Sequence, residues 1–178
     1  MKRIAIIVFF LCAGILCSCE KADETALYIN LLPATQYELD DLQDAFKSSI
    51  DSWQMDNQYS ESLLCGKVWD LSKRYVETYI DGELSETSDF PFHSSSSKYF
   101  FNENHSMRIN DSRGAWLYVK NHIIMRHDGS YYDYEVASVT RKTLILKEEI
   151  IPAGGIFTRF YIDKSGKHEF IIQEFQAK

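Results

Sequence analysis

The sequence predicts a mainly β fold: an antiparallel meander of eight or nine short strands, closed as a barrel or folded as a sandwich, behind one amphipathic helix. Three observations predict it. From Gly66 onward the chain breaks into short segments rich in β-branched and aromatic residues, each bounded by turn residues. Several segments alternate, as where Tyr132, Tyr134 and Val136 interleave with Asp133 and Glu135, which buries one face of a strand and wets the other. No helical stretch long enough for a parallel crossover separates them, so neighbours run antiparallel. The 178 residues suffice for one domain, and an aromatic content of 14% supplies the apolar area that folding needs.

The chain opens on an address. Lys2 and Arg3 precede an almost purely apolar run, Ile4 to Leu16, too short for a comfortable membrane span and laid out like a secretory signal. It ends in Leu16-Cys17-Ser18-Cys19, which resembles the bacterial lipobox, with an aliphatic residue, then a small one directly before the modified cysteine. Cys19 fits this pattern; Cys17 and Cys12 would put a bulky leucine at the cut. The resemblance implies a signal peptide over 1–18, lipidation of Cys19 and a lipidated tether over 19–34. The alternative is an ordinary signal cut nearby that leaves Cys19 a free thiol. Each buried methylene of an acyl anchor contributes roughly 0.8 kcal/mol to membrane binding. The acidic cluster Glu20, Asp23 and Glu24 resembles an export cue for surface lipoproteins of certain Gram-negative bacteria, and is otherwise a plain solvated tether. The implied location is the bacterial outer membrane, facing the periplasm or the surface, with the membrane as partner.

The net charge is −7, and becomes −9 when Lys2 and Arg3 leave with the signal. So acidic a surface repels nucleic acid, which is excluded as a partner. With Cys12 and Cys17 removed and Cys19 acylated, Cys65 is left alone. No intrachain disulfide can form, and Cys65 reads as a small buried hydrophobe.

The region 35–63 carries the helix and a connection. Thr35 and Glu38 have the spacing of a capping box. Leu39, Leu42, Phe46, Ile50 and Trp53 then form one apolar stripe. A helix is expected from about Gln36 to Trp53, packed on the β domain; a partner-binding arm is the alternative. The domain itself spans 64–178. Its first strand is Lys67 to Ile80, closed by Asp81-Gly82, and a polar loop runs through Glu86 to Ser97. Further strands are expected at Lys98–Phe101, Ser106–Asn110, Ala115–Val119, His122–Arg126, Tyr131–Thr140, Thr143–Glu149, Ile156–Ile162 and His168–Phe175. Turns fall at Asn102–Asn104, Asp111–Gly114, Lys120-Asn121, Asp128-Gly129, Arg141-Lys142, Gly154-Gly155 and Ser165-Gly166.

This layout resembles the lipocalin-like (calycin) family of small bacterial lipoproteins, which open on Gly-x-Trp and set an arginine over that tryptophan. Here Gly66-Lys67-Val68-Trp69 is one residue longer, and Arg159 stands in the matching place. The resemblance implies an up-and-down barrel of eight to nine strands, with Trp69 and Arg159 closing one end.

Sites for chemistry are not evident. His93, His105, His122, His127 and His168 are scattered, with no paired spacing for a metal. Glu148-Glu149 and Asp40-Asp41 read as solvated charges. No catalytic residue and no cofactor is assigned. The barrel interior remains, where Trp69, Phe101, Trp116, Tyr118, Tyr132 and Tyr134 are the candidates to line a cavity. Such a barrel either is filled by its own side chains or holds one small ligand. The expected function is a lipid-anchored, non-enzymatic envelope lipoprotein binding a small apolar molecule. The alternative is a protein-interaction module, an inhibitor or accessory subunit, around a filled barrel.

Overall fold

The structure is a computed structural model that describes residues 31–53, 59–90, 97–150 and 166–178. The signal run, Cys19, Arg159 and the expected Ile156–Ile162 strand lie outside the described residues.

Helix α1 spans Gln36–Ser52. Its start is dictated locally: the Thr35 hydroxyl accepts from the Glu38 N–H at 3.2 Å, and the Glu38 carboxylate accepts from the Thr35 N–H at 2.7 Å. At the other end the Lys120 ammonium donates to the Ile50 carbonyl at 2.7 Å, a cation where the helix dipole favours one. The apolar stripe lies on the outer wall of the β domain. Leu42 and Phe46 are buried there against Ala115, Leu117 and Ile124. Trp53 stacks flat on His122, ring centres 3.8 Å apart.

Nine strands follow: β1 Val68–Ile80, β2 Glu83–Asp89, β3 Lys98–Phe101, β4 Ser106–Ile109, β5 Ser112–Val119, β6 His122–His127, β7 Ser130–Val139, β8 Thr143–Glu149 and β9 Lys167–Ala177. Every pairing between strands is antiparallel. Neighbours follow chain order from β3 to β9, and β9 returns to β1 along its whole length, so eight strands close a barrel. The ninth, β2, hangs on the far half of β1 outside the ring. Two expectations need correction. The polar stretch after Gly82 is not simply a loop but contains β2, an all-exposed strand, because its hairpin with β1 needs no buried face. Ser112 to Gly114 are not turn but the start of β5, since Asn110, with φ 52°, and Asp111 make the reversal alone.

The barrel has two unlike ends. At one, the 3-10 turn Glu61–Leu63 tucks under the strands and delivers Leu64 and Cys65 to the core. The Trp69 indole donates to the Leu64 carbonyl at 2.9 Å. Trp69, Phe101, Met107, Trp116, Ile123, Leu144 and Phe175 have no accessible surface. Phe101 packs on Trp116 at 4.9 Å and Tyr99 on Phe175 at 4.8 Å. This end is filled by its own side chains.

Candidate functional site: the polar end of the barrel lumen

Cross-strand partners share a face, so the register identifies what points inward beyond the filled end. Leu71 pairs with Phe175, which is core. Simple alternation would then send Lys73 and Tyr75 inward. A bulge between Leu71 and Lys73 prevents it, an extra residue that reverses the facing of all that follows. The Ser72 hydroxyl donates to the Glu174 carbonyl at 2.8 Å across the bulge. Arg74 therefore faces the lumen opposite Gln173, and Val76 opposite Ile171. On β8, Leu146 pairs with Gln173 and Glu148 with Ile171. On β7, Tyr134 and Tyr132 pair with the core residues Ile123 and Met125.

A polar belt results above the apolar core. The Arg74 guanidinium donates through Nη2 to Gln173 Oε1 at 2.6 Å, and the Phe90 ring lies 5.2 Å from it. Gln173 is fully buried. Burial pushes the Tyr134 and Tyr99 hydroxyls well above the usual tyrosine range, and the two contact each other. Glu148 corrects a reading made from sequence. It is not a solvated charge: burial raises its carboxyl above the ordinary range, with Arg74 opposing and Asp133 adding. Its neighbour Glu149 is exposed and meets His168 at 2.9 Å.

Two donors in this belt lack a well-formed hydrogen bond, although the Tyr134 hydroxyl lies toward the Gln173 amide. Arg74 Nε and Gln173 Nε2 are buried with no hydrogen-bond partner among the described residues. His105 Nδ1 and His127 Nε2 share that condition, but each has a carboxylate within reach, Glu61 at 3.8 Å and Asp128 at 3.7 Å. The Arg74–Gln173 pair makes no ion pair among the described residues, although Glu148 is near enough to feel the Arg74 charge. An unpaired buried donor costs about 1–3 kcal/mol, so two on bonded side chains call for something that accepts.

The residues singled out as cavity candidates divide between the ends. Trp69, Phe101 and Trp116 sit in the filled core with no exposed surface. Tyr118 is at the same end, its hydroxyl donating to Asn121 Oδ1 at 2.9 Å and accepting from the Tyr59 N–H at 3.2 Å. Tyr132 and Tyr134 belong to the polar belt, their rings parallel with centres 6.3 Å apart. Sequence reading missed Arg74, Glu148 and Gln173. For Gln173 a signal existed: it lies between Ile171 and Phe175 on one face of its strand. For Arg74 none did, because the bulge is invisible in the alternation.

Other features offer less. Cys65 is buried and free; burial, with Glu61 and Glu103 adding, pushes its thiol up to about 12, which suppresses the reactive thiolate. Among the described residues no group of three or more His, Cys, Asp and Glu is gathered to hold a metal. A surface hollow of about 310 Å³ lies between α1 and the barrel, lined by Glu38, Arg113, Arg126 and Asp128. Its arginines are already matched, Arg113 to Glu38 at 2.9 Å and Arg126 to Asp41 at 3.2 Å. Comparison with protein-family models, curated proteins and solved structures finds no match for this chain.

Proposed function

We propose that this chain is a lipid-anchored, non-enzymatic envelope lipoprotein whose barrel holds one small, largely apolar molecule at the lumen end remote from Trp69. One observation carries the reading. The interior is filled at one end, while at the other inward-facing Arg74, Val76, Tyr132, Glu148 and Ile171 are only partly covered and two buried donors lack a well-formed hydrogen bond. A barrel serving only as a support would be expected to fill both ends alike. The test is native mass spectrometry of the full chain released gently from membranes. A bound small molecule lost on organic extraction is the expected result. The bare mass, together with no binding of any amphiphile, overturns the reading.

The anchor rests on the Leu16–Cys19 motif. Cys19→Ala is expected to move the protein from the membrane to the soluble fraction; unchanged association sinks the anchor.

A second reading, a protein-interaction module, draws on the outer wall. There the Lys147 ammonium lies over both Tyr79 and Phe170, at 4.8 and 3.9 Å from the ring centres, and Leu84, paired with Tyr79, is exposed. Co-purification of a partner with the full chain, lost in Leu84→Lys, would favour it. A lone monomer after gentle solubilisation counts against it.

A further inference from the structure

We propose that the polar belt is a head-group site for a carboxylate, and that the molecule held by the barrel is a small organic acid with an apolar body. This rests on the ligand-binding reading above and names the chemistry of the same site.

The argument starts from which hydrogen-bonding capacity is spent. Gln173 gives its oxygen to Arg74 Nη2, which leaves its amide nitrogen. Arg74 uses one Nη2 hydrogen there, and its Nε is buried without a partner. The two buried atoms of the joined pair that lack a partner are both donors. Two N–H groups, one of them on a permanently charged guanidinium, fit the two oxygens of one carboxylate. A ligand amine would bring more donors to a place that already has too many. A hydrocarbon would leave both unpaired.

The depth of the pair then sets the orientation. Gln173 is fully buried and one step along β9 from Phe175 in the packed core, so the belt is the floor of the partly covered lumen end. Val76 and Ile171 face each other on the next inward step toward the rim, with Tyr132 across the lumen on β7. A carboxylate on the floor places an apolar body against these three. Among the described residues two acids lie on this face: Glu169, opposite Thr78 and paired with Lys167 at 2.8 Å, and Glu148, opposite Ile171. Its burial favours the protonated form, in which it too can donate, so Arg74 is left as the counter-charge.

The test uses octanoate, 1-octanol and octylamine, which share a tail and differ in head group. Each is titrated calorimetrically into the full chain in lipid nanodiscs, with empty nanodiscs subtracted. Octanoate is expected to bind about tenfold more tightly than octanol, as a charge-assisted pair implies, and octylamine more weakly than either. In Arg74→Gln this preference should vanish. Should that variant fail to fold by near-ultraviolet circular dichroism, Gln173→Glu decides. It supplies a carboxylate in cis that pairs with Arg74, and should abolish octanoate binding while octanol still binds.

Equal binding of acid and alcohol overturns the carboxylate site and leaves the ligand-binding reading standing. Preference for octylamine overturns it too, and makes Glu148 the recognising group. No binding of any of the three, with a bare native mass, removes both readings and leaves the two donors to trapped water.

Discussion

Single residues in this barrel are held by constraints that can be measured one at a time. Gly114 is the sharpest. A Cβ there would clash with the Arg126 carbonyl oxygen, which belongs to the backbone of β6. Gly114→Ala must push two strands apart. A loss of about 1–3 kcal/mol is expected in urea unfolding, with Ala115→Gly as a milder neighbour for comparison. Glu148 makes the opposite prediction. Its carboxyl is raised in the folded state, so the folded chain holds that proton more tightly than the unfolded one. The stabilisation is complete below the unfolded pKa, near 4.3, and is lost as pH rises through the folded value. Glu148→Gln should therefore unfold at a higher temperature than the parent at pH 7 and show no such advantage at pH 4. A variant less stable at pH 7 would show instead that attraction to Arg74 outweighs burial.

At the scale of elements, the helix and the barrel wall are two faces of one interface. Neither apolar surface is tolerable alone: Leu42 and Phe46 on α1 meet Ala115, Leu117 and Ile124 on β5 and β6. Phe46→Ala should cost about 3–5 kcal/mol, because little nearby can collapse into the space. The rim of this interface is ionic. The Arg113 guanidinium beside Glu38, aided by the Thr35 N–H and hydroxyl and opposed by slight burial, holds its carboxyl down to about 2. A lowered folded value stabilises above the unfolded pKa and is lost as pH falls from about 4.3 toward 2. The pair is partly exposed, so solvent screens it and its worth stays below about 1 kcal/mol. Arg113→Gln should remove the part of the acid sensitivity that falls in this window, seen as a flatter melting temperature between pH 4.5 and 2.

For the whole molecule, closure of the ring by β1 and β9 decides how water reaches the interior. Trp69 and Trp116 have no exposed surface, whereas Trp53 sits at the end of α1 on the outer wall against His122. Iodide should therefore quench only the Trp53 component of fluorescence, and Trp53→Phe should leave an emission that iodide barely touches. Strong quenching in that variant would mean that the filled end opens readily. The same closure leaves the acidic strand β2 outside the ring with Glu83, Glu86 and Asp89 exposed. Charges of this kind keep an edge strand from pairing with another chain.

Much of this fold is legible in the sequence because it is encoded over short range. The capping box at Thr35, the stripe from Leu39 to Trp53 and the turn glycines Gly82 and Gly129, both at positive φ, each need only their neighbours. Alternation placed Trp116, Ile123 and Tyr134 on one face for the same reason. Strand β2 escaped because a strand without a buried face has no alternation to show. The polar belt escaped for a different reason. Arg74 looks outward by counting from Trp69, and only the bulge paired against Glu174 on β9, far along the chain, turns it into the lumen. Glu148 and Gln173 likewise read as ordinary polar strand residues until the closure of β9 on β1 and β8 surrounds them. Thus the sequence by itself determined the helix, an apolar interior and, among the described residues, the strands that bury a face, since those follow from local propensity and periodicity. The tertiary structure alone decided which polar groups that interior would enclose, because register and ring closure are settled by pairings between residues distant in the chain.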